Sequence, residues 1–112
     1  MIRPAGLLVV SLLAAATASA APGPVSVPTE RQAELIYLVR QDCGSCHGLT
    51  LRGGLGPPLV PGAIADKDHE LLIGTILDGR PGTPMPPWRF EISPDEAAWL
   101  VHRLREGLGD GK

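Results

Sequence analysis

Five consecutive residues, Cys43-Gly44-Ser45-Cys46-His47, hold the densest chemistry in the chain: two thiols separated by two residues, followed at once by an imidazole. C-x-x-C-H is the spacing used for c-type haem attachment. Two intervening residues let both sulfurs reach the two vinyl groups on one porphyrin edge, and the next residue presents its imidazole to the iron. Three other uses of paired cysteines compete: a structural disulfide, half of a zinc site, and a thioredoxin-like redox pair. Zinc wants about four ligands, and the chain has no third cysteine, while His69 and His102 stand apart. A redox C-x-x-C belongs at a strand-to-helix junction, whereas this one follows a helical pattern in a chain with no evident strand. The reading taken is one covalent haem c, with Cys43 and Cys46 as thioether sites and His47 as an axial ligand.

An electron-carrying haem wants a second axial ligand, and a thioether is one known choice. Met85 is the candidate, because Met1 is the only other methionine. A lone methionine more often fills a core, but Met85 lies between Pro84 and Pro86, which restrict the backbone before folding. His69 and His102 read as solvent-facing. The group that fixes the His47 ring should come from Gly56-Pro57-Pro58-Leu59: the Pro57 carbonyl, or alternatively that of Pro58, would accept the Nδ1 proton and leave Nε2 for iron. Arg80 and Trp88 are candidate donors to the haem propionates.

The elements that must position these residues read as helices and loops. Thr29 and Gln32 have capping-box spacing, and Leu35, Ile36, Leu38 and Val39 give an apolar face, which predicts a helix over 30–42. Residues 48–62, rich in glycine and proline, read as loop. A second helix is expected over 68–78, ended by Gly79. Four prolines between Arg80 and Trp88 make that segment a stiff extended loop. Ser93-Pro94-Asp95-Glu96 supplies an N-cap, a proline at the first helical position and a capping-box glutamate, opening a last helix to about 106. No strand of convincing length and no internal repeat appear.

The chain has 112 residues and a formal charge of −2. Met1-Ile2-Arg3, an apolar run from Leu7 to Ala16, and Ala18-Ser19-Ala20 compose a secretory signal over 1–20, with export to the periplasm the expectation. The run is too short for the roughly 20 residues that span a bilayer, so no stable membrane insertion is expected after cleavage. Residues 21–28, with three prolines, read as an extended lead-in, 29–107 as the folded domain and 108–112 as a flexible tail. A domain of this size buries only about 60 % of its unfolded surface, a deficit that a covalent haem would offset. Lys67 and Lys112 are the only lysines and there is no basic patch, which argues against nucleic acid and against strong steering toward an acidic partner.

The order helix, C-x-x-C-H, G-P-x-L loop, short helix, Met loop, last helix resembles the class I cytochrome c fold. That resemblance implies an all-α domain of three main helices and long loops around one covalent haem, with Trp99 and Leu100 as the aromatic–aliphatic pair of the last helix. The family's aromatic four residues before the first cysteine is Val39 here, with Tyr37 displaced. Gln41-Asp42-Cys43-Gly44-Ser45-Cys46-His47-Gly48-Leu49-Thr50, Gly53-Gly54-Leu55-Gly56-Pro57-Pro58-Leu59 and Gly79-Arg80-Pro81-Gly82-Thr83-Pro84-Met85-Pro86-Pro87-Trp88 are similar to the cytochrome c-55X family of denitrifiers. This second resemblance implies a periplasmic monomer that takes electrons from a respiratory donor and delivers them to cytochrome cd1 nitrite reductase, or that helps to mature haem d1. An enzyme or gas sensor with an open iron is the third possibility, and no acid–base constellation supports it. Gly44, Ser45, Leu51, Pro57, Pro86 and Pro87 are expected to line the docking face.

Overall fold

A computed structural model describes residues 1, 2, 4–6, 9–16 and 25–108. The Ala18-Ser19-Ala20 cleavage signal, residues 21–24 of the lead-in and residues 109–112 of the expected tail lie outside the described residues. Helices α1 (Thr29–Leu38), α2 (Gly44–His47), α3 (Pro61–Ile64), α4 (His69–Asp78) and α5 (Pro94–Glu106) are joined by loops, with no strand among the described residues. No helix among them is long and apolar enough to cross a membrane.

The first helix corrects the expected range of 30–42 at both ends. Thr29 is already helical, because the Pro28 carbonyl accepts the Gln32 N–H at 2.9 Å. The Gln32 side chain donates to Val27 O at 2.8 Å, so the Thr29–Gln32 capping box does not form. At the other end α1 passes through one π-helical turn, Val39–Cys43, directly into α2. The helical path thus carries both cysteines and His47, where the sequence suggested that it stopped at Asp42. A π-turn inserts one residue into the 3.6-residue period, and so rotates the second cysteine and histidine relative to the face set by Leu35 and Leu38.

The two later helices form as their caps require. Asp68 accepts the Leu71 N–H at 2.9 Å and opens α4. Ser93 and Glu96 make the reciprocal capping box of α5, at 3.2 and 3.0 Å. Along α5, Ala97, Leu100 and Leu104 fall on one face and are buried together with Trp99 and Val101. Both α3 and α4 pack on α5. The short helix α3 was not expected within the glycine- and proline-rich segment; Pro61 at its first position starts it.

Leu35, Leu38, Val39, Leu51, Ile64, Leu77, Ile92, Leu100 and Leu104 form one core drawn from every long element. Val39 is buried and Tyr37 is 68 % exposed, so an aliphatic side chain occupies the position where the resemblance led us to expect an aromatic. Val27 and Leu108 are buried too. The folded unit therefore reaches beyond the expected 29–107, because both flanking residues find apolar contacts. Arg31 ties α1 to α5, pairing with Glu96 and Glu34 and donating to Glu91 O at 2.8 Å.

Candidate haem site

The sequence-derived site residues fall into two clusters, one over residues 43–57 and one over residues 80–88. The first is built on the helical run through Cys43, Cys46 and His47. Both cysteines are free thiols, half-buried, one helical turn apart. Burial, reinforced by the charge of Asp42, pushes the Cys43 thiol up to about 11. A disulfide oxidoreductase is served by the opposite shift, and this pair lies on a continuous helical path, not at the strand-to-helix junction of a redox C-x-x-C. Among the described residues no group of three or more His, Cys, Asp and Glu could hold a metal ion, which leaves the zinc alternative without its remaining ligands.

His47 is buried, and its Nδ1 stands 2.7 Å from the Pro57 carbonyl oxygen. A carbonyl can only accept, so Nδ1 carries the proton and Nε2 keeps a free lone pair. The loop that delivers Pro57 is held to the helix end by backbone bonds: Gly53 N–H donates to His47 O and Gly56 N–H to Cys46 O, each at 2.8 Å. Gly56 lies flat against the imidazole; a Cβ there would stand 2.7 Å from Cε1 and 2.8 Å from Nδ1. The sequence pointed to this G-P-P-L segment through its proline. The equally tight role of Gly56 was missed, although its place before Pro57 was the available signal.

The second cluster holds Met85. Arg80-Pro81-Gly82-Thr83 makes a turn closed by Thr83 N–H to Arg80 O at 3.0 Å, with Gly82 at φ +80°. Arg80 N–H then donates to Met85 O at 3.2 Å. Beyond the prolines, Trp88 N–H donates to the Ile76 and Leu77 carbonyls at 3.1 Å. Met85 is half-buried; Arg80 is exposed, and the half-buried Trp88 ring stacks on Phe90 at 5.7 Å. Among the described residues no hydrogen bond joins the Met85 cluster to the His47 cluster.

The donor set suits a covalent haem: two thiols and one imidazole with an unprotonated nitrogen on one continuous helix. Apolar walls are at hand as well. Ile36, Leu59, Leu72, Ile73, Ile76 and Trp88 pack against the core yet stay only half covered, leaving carbon surface for a flat ring. His69 is half-buried at the start of α4, and His102 is exposed beside Glu106, 3.5 Å away. On the expected docking face, Ser45, Pro57, Pro86 and Pro87 are exposed, but Gly44 is buried and Leu51 is only 1 % accessible. Leu51 adopts φ +59°, which turns its side chain inward. It belongs to the core.

Comparison with known proteins agrees with this geometry. Residues 30–102 match the family model described as cytochrome c oxidase, cbb3-type, subunit III. The chain is 49 % identical over 100 residues to cytochrome c55X of Paracoccus denitrificans, spanning 89 % of this chain and 93 % of that protein. The chain belongs to the cytochrome c55X family. Cytochrome c55X of Pseudomonas aeruginosa is 61 % identical over 77 residues, 69 % of this chain and 65 % of that protein's length. Among solved structures, the c-type cytochrome NirC superposes with a TM-score of 0.70 at 57 % identity, covering 71 % of this chain and 94 % of NirC. Dihydro-heme d1 dehydrogenase NirN in complex with DHE superposes with a TM-score of 0.58 at 34 % identity, covering 63 % of this chain and 15 % of NirN. The chain is therefore a class I c-type cytochrome of all-α fold that binds haem c covalently.

Proposed function

We propose that this cytochrome is a periplasmic carrier of single electrons, with Cys43 and Cys46 as thioether sites, His47 and Met85 as axial ligands, and cytochrome cd1 nitrite reductase as its acceptor. When bound, haem c supplies one iron that alternates between ferric and ferrous states. Everything else falls to the chain. Pro57 holds the His47 imidazole by its Nδ1 proton, so that Nε2 would be the nitrogen offered to the iron. Gly56 lets the loop close to contact distance with that ring. The proline-braced loop holds the Met85 backbone, from which the thioether would serve as the second ligand and disfavour substrate binding at the iron. Arg80 and Trp88 would serve the propionates from the same loop.

The observation that supports this reading is His47 oriented by the Pro57 carbonyl at 2.7 Å, with Met85 in a proline-braced loop whose backbone is hydrogen-bonded. Ligands supplied by segments fixed in this way would keep the reorganisation accompanying electron transfer small. The partner assignment draws on the c55X relatives. Exposed Ser45, Pro57, Pro86 and Pro87 would form a small contact of the size typical of redox encounters, below about 1,200 Å². The test is rapid mixing of the ferrous protein with oxidised cytochrome cd1 nitrite reductase. Oxidation of the carrier matched by reduction of the reductase is expected, and its absence across ionic strengths would remove that acceptor.

One specific observation favours a second reading, participation in haem d1 maturation: this cytochrome domain is 34 % identical over 82 residues to part of dihydro-heme d1 dehydrogenase of Pseudomonas aeruginosa. Co-expression with haem d1 biosynthetic proteins separates the two. Copurified haem d1 would support maturation, whereas loss of nitrite reduction with a fully assembled reductase would support the carrier.

A further inference from the structure

The far end of the methionine loop is fastened to the last turn of α4. Trp88 N–H donates to Ile76 and Leu77 carbonyls, and Arg89 N–H donates to Leu77 O, each at 3.1 Å. At the surface the Arg89 guanidinium forks onto Asp78, with Nε to Oδ1 at 2.9 Å and Nη2 to Oδ2 at 2.8 Å. On the near side Arg80 N–H donates to Met85 O. Between these fastenings stands Gly79, at φ +68° and ψ −167°, a region essentially reserved for glycine. A Cβ on Gly79 would lie 2.6 Å from Met85 O, 2.8 Å from Pro86 C and 2.9 Å from Pro87 N. These are backbone atoms flanked by prolines, so no flexible side-chain end can yield. The sequence suggested only that Gly79 ends a helix.

We infer that Gly79, at the end of α4, is a positioning residue for Met85: its bare Cα lets the loop lie against the helix end and so sets the height at which the thioether is presented to the iron. The inference rests on the reading of Met85 as the axial ligand. Because α4 packs on α5, the loop inherits its position from the helical core and not from its own turn. Gly82 provides the internal comparison. It too has positive φ, at +80°, but a Cβ there meets nothing within 4 Å. A positive φ without the close approach should therefore leave Met85 where it is.

The test compares holo-protein carrying Gly79→Ala, Gly82→Ala or Met85→Ala by the ferric sulfur-to-iron band, the reduction potential and carbon monoxide binding. Gly79→Ala is expected to lose most of the band, lower the potential and admit carbon monoxide, while Gly82→Ala keeps all three wild-type properties. A retained band in Gly79→Ala overturns the inference, as does an equal loss in Gly82→Ala. If Met85→Ala itself leaves the band and potential unchanged, the ligand reading fails, and that result is distinct from the first. Should Gly79→Ala yield no folded holo-protein, Asp78→Ala takes its place, since it opens the surface end of the same fastening without backbone strain. Its band should disappear at lower denaturant concentration than the wild-type band does, with the helical midpoint moved less; an unmoved band midpoint contradicts the inference.

Discussion

At the scale of single residues, the site depends on two close approaches that only glycine permits, one behind each proposed ligand. Gly56 behind His47 gives the sharper expectation. In Gly56→Ala the new methyl carbon meets the imidazole at 2.7–2.8 Å, so either the ring tilts or the Pro57 carbonyl moves off Nδ1. Weakening that hydrogen bond lowers the basicity of Nε2, and loss of such a partner costs roughly 10–100-fold in metal affinity at other sites. The expected outcome is a changed reduction potential with both thioethers intact, measured by redox titration; an unchanged potential would show that the loop relaxes without consequence. Pro57 was legible from the sequence, because residue type alone limits which groups can accept a proton without offering one. Gly56 and Gly79 were not, since a close approach is a property of two segments brought together by the fold.

At the scale of elements, the α5 cap was readable, whereas the α1 cap and the helical phase were not. Ser93, Pro94 and Glu96 announce α5 because a capping box is a purely local arrangement. The π-turn at Val39–Cys43 is local too, but one inserted residue leaves the apolar pattern Leu35, Leu38, Val39 unaltered, so nothing upstream betrays it. Leu51 appeared to be a surface residue of a polar loop until its left-handed backbone turned it into the core. The α1–α5 tie yields a pH expectation. The Arg31 guanidinium holds the Glu96 carboxyl below its ordinary value, with the Ser93 cap adding to the effect. A carboxylate whose folded pKa is depressed stabilises fully above its unfolded value and loses that contribution as pH falls through the folded one. Both side chains are partly exposed, 31 % for Arg31 and 17 % for Glu96, so the pair is worth at most about 1 kcal/mol. Glu96→Gln keeps the capping box and removes the charge. Urea midpoints should show the variant less stable at pH 7, with the difference vanishing as pH falls below the unfolded carboxylate range, about 4.3; a difference independent of pH would refute the pairing.

At the scale of the whole molecule, a small core is completed by its prosthetic group. Short helices and long loops leave Ile36, Leu72, Ile73 and Ile76 only half covered, and surface left in water forgoes the stabilisation of about 25 cal/mol per Å² that burial brings. Covalent attachment should therefore act as a fold determinant as well as a redox one. Cys43→Ala together with Cys46→Ala, which prevents attachment, is expected to give a chain with reduced helical circular dichroism and no cooperative thermal transition, whereas the holo-protein melts cooperatively. A cooperative melt in the double variant would show that the polypeptide core suffices. The class I architecture was legible in advance because the order of motifs along the chain is itself the topology. The extent of the folded unit was less so, since Val27 and Leu108 join the core through contacts distant in sequence.

The central claim is a six-coordinate iron held by His47 and Met85, and the visible spectrum of the matured protein tests it most directly, ferric then ferrous, with and without carbon monoxide. The account predicts a low-spin c-type spectrum with a weak ferric sulfur-to-iron band, absent in Met85→Ala, and no response of the wild-type ferrous protein to carbon monoxide. Ready carbon monoxide binding by the wild-type protein would contradict it, and would identify an open iron suited to ligand sensing or catalysis.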